Sequence, residues 1–320
     1  MIKKLVFVCV DIILKILVLT RALPPGNGHS LRKKILRVFL TNSQFFSHDM
    51  YIMKKIFLLL FPCTLFGFVL QPWYSPIGEF QLRSAYSYRY YPSVSQGKNP
   101  SSYHSHDHRL DLNFGVQFWP NWDLQFESDF LHSRKLNWGT ERVGLQVRHL
   151  FLDDVVGDPI SLSVGFQGFY VPTRSLRDVS VPYHAQGNLE LGVAIGKEID
   201  KTYNWLFRFW GFCGVGIANR GMPWIRPLMA AEMKFKQRHV LKAFTESYIG
   251  FGRSHHVDIN DFNGYAKIAH RSINLGLNYT YLFRIWGSLS LEGAYRLYAY
   301  SFPKHAVTAK IAYHLPFSLF

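Results

Sequence analysis

From residue 77 to the end of the chain, apolar and polar side chains alternate with a period of two. In "EFQLRSAYSYRYY", Phe80, Leu82, Tyr86, Tyr88 and Tyr90 are interleaved with Gln81, Arg83, Ser87 and Arg89. Successive side chains of an extended strand point to opposite faces, so this spacing makes a strand with one dry face and one wet face. The same pattern returns at Leu110, Leu112, Phe114, Val116 and Phe118, then at Trp122, Leu124, Phe126 and Phe130. Val143, Leu145 and Val147 continue it between Arg142, Gln146 and Arg148. No helical period interrupts it after residue 76.

Twelve such segments can be placed, near 77–91, 106–119, 122–132, 140–152, 159–171, 184–198, 204–218, 224–236, 239–253, 265–282, 287–300 and 305–320. Most exceed the 5–6 residues usual for a strand in a soluble sandwich, and a tilted strand of about 9–11 residues crosses a bilayer. Connectors such as "PN", "DDVVGD", "DKTY" and "RH" are short. "PSVSQGKNPSSYHSH", "PTRSLRDVSVPY" and "RSHHVDINDFNG", which alternate with them, are long. Long strands, an even count, alternating connectors and aromatics near the strand ends predict an all-β fold. It is a transmembrane antiparallel β-barrel of about twelve strands with both termini periplasmic. A soluble β-sandwich is the competing reading.

The N-terminal part is built differently. "MKKIFLLLFPCTLFGF", starting at Met53, has a basic start, an apolar run and small residues near its end, which describes a secretory signal peptide over 53–68. The upstream apolar run is broken by Asp11 and Lys15, each costing roughly 2.5–3.5 kcal/mol at the centre of a membrane helix. Residues 1–52 therefore read as a mis-annotated start or a disordered extension, and 69–320 as the barrel. Charge follows the same division. Eight Lys/Arg against Asp11 and Asp49 give residues 1–52 a charge of +6, and Lys54 and Lys55 add +2. Of the total +15, the rest keeps +7, too little to argue for nucleic acid. Of three cysteines only Cys213 lies in the body, so there is no disulfide framework. Cys213 shares a face with Phe209, Val215 and Ile217 and reads as lipid-facing packing.

The last segment, "AVTAKIAYHLPFSLF", ends on Phe320. A terminal Phe on a terminal amphipathic strand resembles the assembly signal of Gram-negative outer-membrane β-barrel proteins. The resemblance implies an outer-membrane location, recognition of the C-terminal strand by the barrel-assembly machinery, and outer-membrane lipid around the barrel. It points to no particular barrel family.

Read by parity, the wet face carries Arg83, Arg109, Asp111, Asp123, Glu127, Arg142, Arg148, Glu190, Arg208, Glu232, Lys242, Glu246, Glu292 and Arg296. Charges so numerous inside a barrel require water or mutual pairing, because unpaired buried ions are too costly. Twelve strands fall between the filled eight-stranded barrels and the open channels of 16–18 strands. A porin-like passive channel for small hydrophilic solutes is the first reading, with mixed signs predicting weak ion selectivity. An outer-membrane hydrolase is the second, with a rim site drawn from "YHSHDHR" (His104, His106, Asp107) and "SHHVDIND" (His255, His256, Asp258). Paired His and Asp serve as a general base or as metal ligands, although no hydrolase motif surrounds them. A structural or adhesive barrel with functional loops is the third. The body holds no phosphate loop, nucleotide fingerprint or paired cysteines, so no cofactor is expected.

Overall fold

The computed structural model describes residues 70–318 apart from 101, 203–204 and 284–285. The expected leader at 53–68, the extension at 1–52 and the terminal Phe320 lie outside the described residues. Twelve long strands close into one antiparallel barrel. They are β1 (Glu79–Tyr91), β2 (Ser105–Trp119), β3 (Trp122–His132), β4 (Gly139–Leu152), β5 (Ser161–Tyr170) and β6 (Gly187–Thr202). The other half comprises β7 (Trp205–Ala218), β8 (Trp224–Phe235), β9 (His239–Phe251), β10 (Ala269–Leu282), β11 (Ser288–Tyr300) and β12 (Val307–Ser318). Each strand pairs with its chain neighbours, and Glu79 opposite Ser318 closes β1 on β12. Both ends of the barrel chain therefore lie at the same rim as the short turns.

Closure follows from the solvent. Leu112, Phe114, Phe126, Leu145, Leu191, Val215, Leu275 and Leu277 all stand exposed on the outer face. That band is far larger than the isolated apolar patches soluble surfaces carry, and lipid is the medium that covers it. In lipid each backbone N–H and C=O needs a partner from the protein, and a closed ladder leaves no free edge. Cys213 is exposed on this outer face. At the short-turn rim Phe317 stacks on Phe80 at 5.6 Å, which keeps the end of β12 in the outward apolar phase.

Most strands begin and end within three residues of the positions expected from alternation. Two expected strands start too early: 184–198 begins only at Gly187 and runs on to Thr202, and 265–282 begins only at Ala269. The extra residues are loop. Ala185, Tyr265 and Ile268 are apolar because they pack into a cap over the long-loop rim, not because they face lipid. The cap gives the long loops an apolar interior of their own. Tyr91, Val94, Tyr103, Val179, Val257, Ile259, Phe262 and Phe302 form one buried cluster drawn from five segments. Leu131, Leu136, Val171, Leu176, Val181 and Tyr183 form a second around the 171–186 loop. Two-residue ladders, Ser93–Val94 with Pro303–Lys304 and Gly97–Lys98 with Val257–Asp258, tie the loops together.

Candidate functional site: the barrel lumen

Alternation turns every second side chain of each strand inward, and the inward set is charged. The charges meet in pairs. Arg89 lies 2.7 Å from Asp107, Arg109 lies 2.6 Å from Glu141, and Arg148 lies 2.7 Å from Asp123. Arg142 holds Asp129 through Nε at 2.6 Å and also Glu127 through Nη2. On the opposite wall Arg226 reaches Glu190 at 2.7 Å and Glu246 at 3.8 Å. Arg208 reaches Glu198 at 2.6 Å and Glu232 at 3.9 Å, and Lys310 approaches Asp111 at 3.5 Å. Arg296 donates to Asn274 Oδ1 and to the Pro303 carbonyl, with its guanidinium over the Phe302 ring.

These side chains surround two chambers. The one under the cap measures about 290 Å³ and is lined by Arg89, Arg109, Asp111, Glu190, Tyr248 and Arg296 among others. The one toward the short turns measures about 610 Å³, with Arg83, Asp123, Arg148, Arg208 and Lys242 in its wall. Arg142, Arg226, Phe244, Glu246, Glu292 and Lys310 line both, and so form the waist between them. Lys242 sits over the Phe244 ring at 5.3 Å, bracing the one aromatic at the waist.

Each chamber is narrowed from its own end. At the short-turn end, residues 70–76 fold inside the barrel as a plug. Trp73 lies edge-on to Trp210 at 5.8 Å beneath the Arg208 guanidinium, and Arg148 covers the Tyr74 ring at 4.5 Å. Arg148 also donates to the Gln71 carbonyl at 2.7 Å. The latch is Asp154, in the turn after β4. It accepts from Trp73 Nε1 at 2.9 Å, from Ser161 Oγ at 2.5 Å and from the Glu198 N–H at 2.5 Å. Burial works to raise the Asp154 pKa, but these donors outweigh it and hold the carboxyl below its usual range. Gly196 makes the close approach: a Cβ there would come within 2.8 Å of both Pro72 and Trp73.

At the other end the 171–186 loop dips inward, and Pro182 and Tyr183 line the upper chamber. Burial raises the pKa of Asp178 in this loop, whose carboxylate accepts from Ser133 and from the Ser180 N–H. His184 donates from Nδ1 to the Met222 carbonyl at 2.9 Å, packs on Trp224 at 4.5 Å and faces His270 at 5.2 Å. Burial lowers the His184 pKa from 6.5 to about 4, so the ring is neutral at physiological pH.

The sequence-derived rim constellation is not brought together. The strand begins at Ser105, so His106 and Asp107 are adjacent ladder residues with opposite directions. Asp107 faces inward to Arg89, while His106 is exposed outside and bonds Tyr88. His104 lies beside Arg134, and His255 contacts the Tyr300 hydroxyl at 3.1 Å. Asp258 accepts from Asn99 and caps the turn at Asn260 and Asp261, and His256 is exposed. Among the described residues no three His, Cys, Asp or Glu side chains lie close enough together to hold a metal.

Strict alternation missed some lumen residues for identifiable reasons. Glu141 is inward although its neighbour Arg142 is inward too. The β3–β4 register jumps there, Asp129 facing Arg142 and Phe130 facing Thr140, which leaves Glu141 in a bulge. Arg226 has the same parity as Glu232 and was within reach of the pattern. The plug carries no periodicity.

No protein-family model and no curated protein matches this sequence. Among solved structures, an outer-membrane channel from Pseudomonas putida F1 superposes with a TM-score of 0.55 at 12% identity, over 76% of this chain and 97% of that one. The fold is that of an outer-membrane β-barrel. The NanC porin covers 72% of this chain and 97% of its own at 15% identity, but its TM-score of 0.44 is too low to build on. A closed barrel with a lipid-facing apolar exterior belongs to the outer membrane of a Gram-negative-type bacterium.

Proposed function

We propose that the chain is a narrow, passive channel for small hydrophilic solutes, oriented with its short turns and both barrel termini in the periplasm. One observation carries the reading: two chambers lined by paired acidic and basic side chains meet at a shared waist inside a closed barrel. Walls built from this many charged groups leave water to complete their solvation wherever pairing does not. The charges are of both signs, so discrimination between cations and anions is weak and the waist selects chiefly by size. The plug and the inward loop restrict traffic from the two ends. The C-terminal strand is the segment offered to the assembly machinery.

Osmotic swelling of proteoliposomes tests this. A pentose is expected to enter faster than a trisaccharide, and both faster than into protein-free vesicles. Swelling equal to that of protein-free vesicles with every sugar would exclude the channel.

A further inference from the structure

Four histidines on the outside of the barrel are used by neither the lumen nor the cap. His106 and His108 alternate along β2, His104 precedes them, and His132 stands opposite His108 on β3. All four sit at the long-loop rim. They begin just past Leu110, which pairs with Tyr86 and ends the apolar outer band on these strands. Beside them β1 turns Tyr86, Tyr88 and Tyr90 outward. Tyr86 Oη lies 2.5 Å from His108 Nδ1, and Tyr88 Oη lies 2.6 Å from His106 Nδ1. Arg134 Nη1 lies 3.3 Å from His104 Nδ1.

These contacts decide what the rings present. A guanidinium can only donate, so His104 Nδ1 accepts and its hydrogen resides on Nε2. With a phenol O–H donating to Nδ1, His106 and His108 take the same tautomer. With the Tyr hydroxyls donating, the patch offers Nε2–H donors on His104, His106 and His108, with His132 and the Arg134 charge beside them. Ring centroids are 6.3 Å apart for His104 and His106, and 5.8 Å apart for His108 and His132. Among the described residues the carboxylate of this segment, Asp107, is turned inward onto Arg89 and leaves this face. The arc continues on the far side of β12, where Tyr295 pairs with His305 at 2.7 Å.

Donors fixed at the depth where the apolar band stops meet the headgroup layer of the leaflet, where the abundant acceptors are phosphate oxygens. We propose that this His–Tyr rim, centred on His104, His106, His108 and His132, binds the phosphates of lipid headgroups. The inference needs only that the barrel sits in a bilayer and is independent of what passes through the lumen.

Native mass spectrometry of the detergent-solubilised barrel, titrated with phosphatidic acid or with phosphate-free digalactosyldiacylglycerol, reads the preference directly. The wild type is expected to retain phosphatidic acid about tenfold better, as charge-assisted hydrogen bonds would give. H104F/H106F/H108F/H132F keeps the aromatic surface and is expected to lose that preference. Should this variant fail to fold to a heat-modifiable barrel, H106F and H108F singly carry the test, each with a partial loss. Equal retention of the two lipids by the wild type, or a preference unchanged in the variants, overturns the proposal. So does retention abolished by millimolar inorganic phosphate, which would mark a site for the free ion and not for lipid.

Discussion

Arg142 is the side chain on which the acidic wall depends. Its guanidinium neutralises Asp129 and Glu127, which stand two residues apart on the same inward face of β3 and are almost completely buried. Replacing it by Met leaves both carboxylates without their cation. Breaking one buried pair costs about 3–5 kcal/mol. The two carboxyl groups also lie close enough to interact side chain to side chain, so they repel when both are ionised. Arg142 additionally lies over the Phe169 ring at 5.1 Å and the Tyr183 ring at 5.3 Å, contacts worth about 0.5–2 kcal/mol. R142M should therefore lose about 5 kcal/mol or more against urea, followed by tryptophan fluorescence in detergent micelles. Adding E127Q and D129N removes the stranded charges but not the lost ring contacts. The triple variant should recover to within about 2 kcal/mol of wild type. An R142M barrel within about 1 kcal/mol of wild type, or a triple variant no better than R142M, would refute the pairing argument.

Three further outcomes follow from the same geometry. W73A removes the ring that anchors the plug, a loss of about 3–5 kcal/mol of docking, and D154N removes the latch acceptor; both should expose a cysteine placed at Tyr74 to a water-soluble maleimide, whereas an unchanged labelling rate would mean that the plug is held by other contacts. Because the folded cap keeps His184 neutral down to about pH 4 while an unfolded histidine takes up its proton near 6.5, stability should fall as pH drops through that interval and level off below it, by about 3 kcal/mol in all. Asp178, raised by burial, contributes with the opposite sign, so the readout is wild type against H184F, whose melting temperature should fall less between pH 7 and 4.5; parallel curves would contradict the assignment. F244A should enlarge the waist and raise the trisaccharide swelling rate relative to the pentose rate, while an unchanged ratio would place the narrowest point elsewhere.

How much was legible in the sequence depended on what each residue faces. Outer-face positions such as Leu112, Phe114 and Phe126 have a single acceptable chemistry, because lipid tolerates no polar group there, so the strands could be read almost to the residue. Apolar residues outside the strands broke that reading. Tyr265 and Ile268 are as hydrophobic as any lipid-facing position but belong to the cap, and alternation cannot tell the two burials apart. Charge parity located the inward face yet could not pair the charges, since partners such as Arg226 and Glu190 lie 36 residues apart. The His/Asp rim reading failed on the period that revealed the fold: two consecutive strand residues, His106 and Asp107, face opposite sides of the wall. Trp73 and Tyr74 carry no periodic signal, because their partners, Asp154, Arg148 and Arg208, come from later parts of the chain.

A passive channel needs a water-filled path through the lumen past the waist and the plug. Single-channel recording in a planar lipid bilayer tests it most directly, with the wild type and W73A compared in the same salt. Discrete conductance steps with weak preference between cation and anion, and larger steps for W73A, are the expected result. A flat baseline over many insertions of both proteins would contradict it.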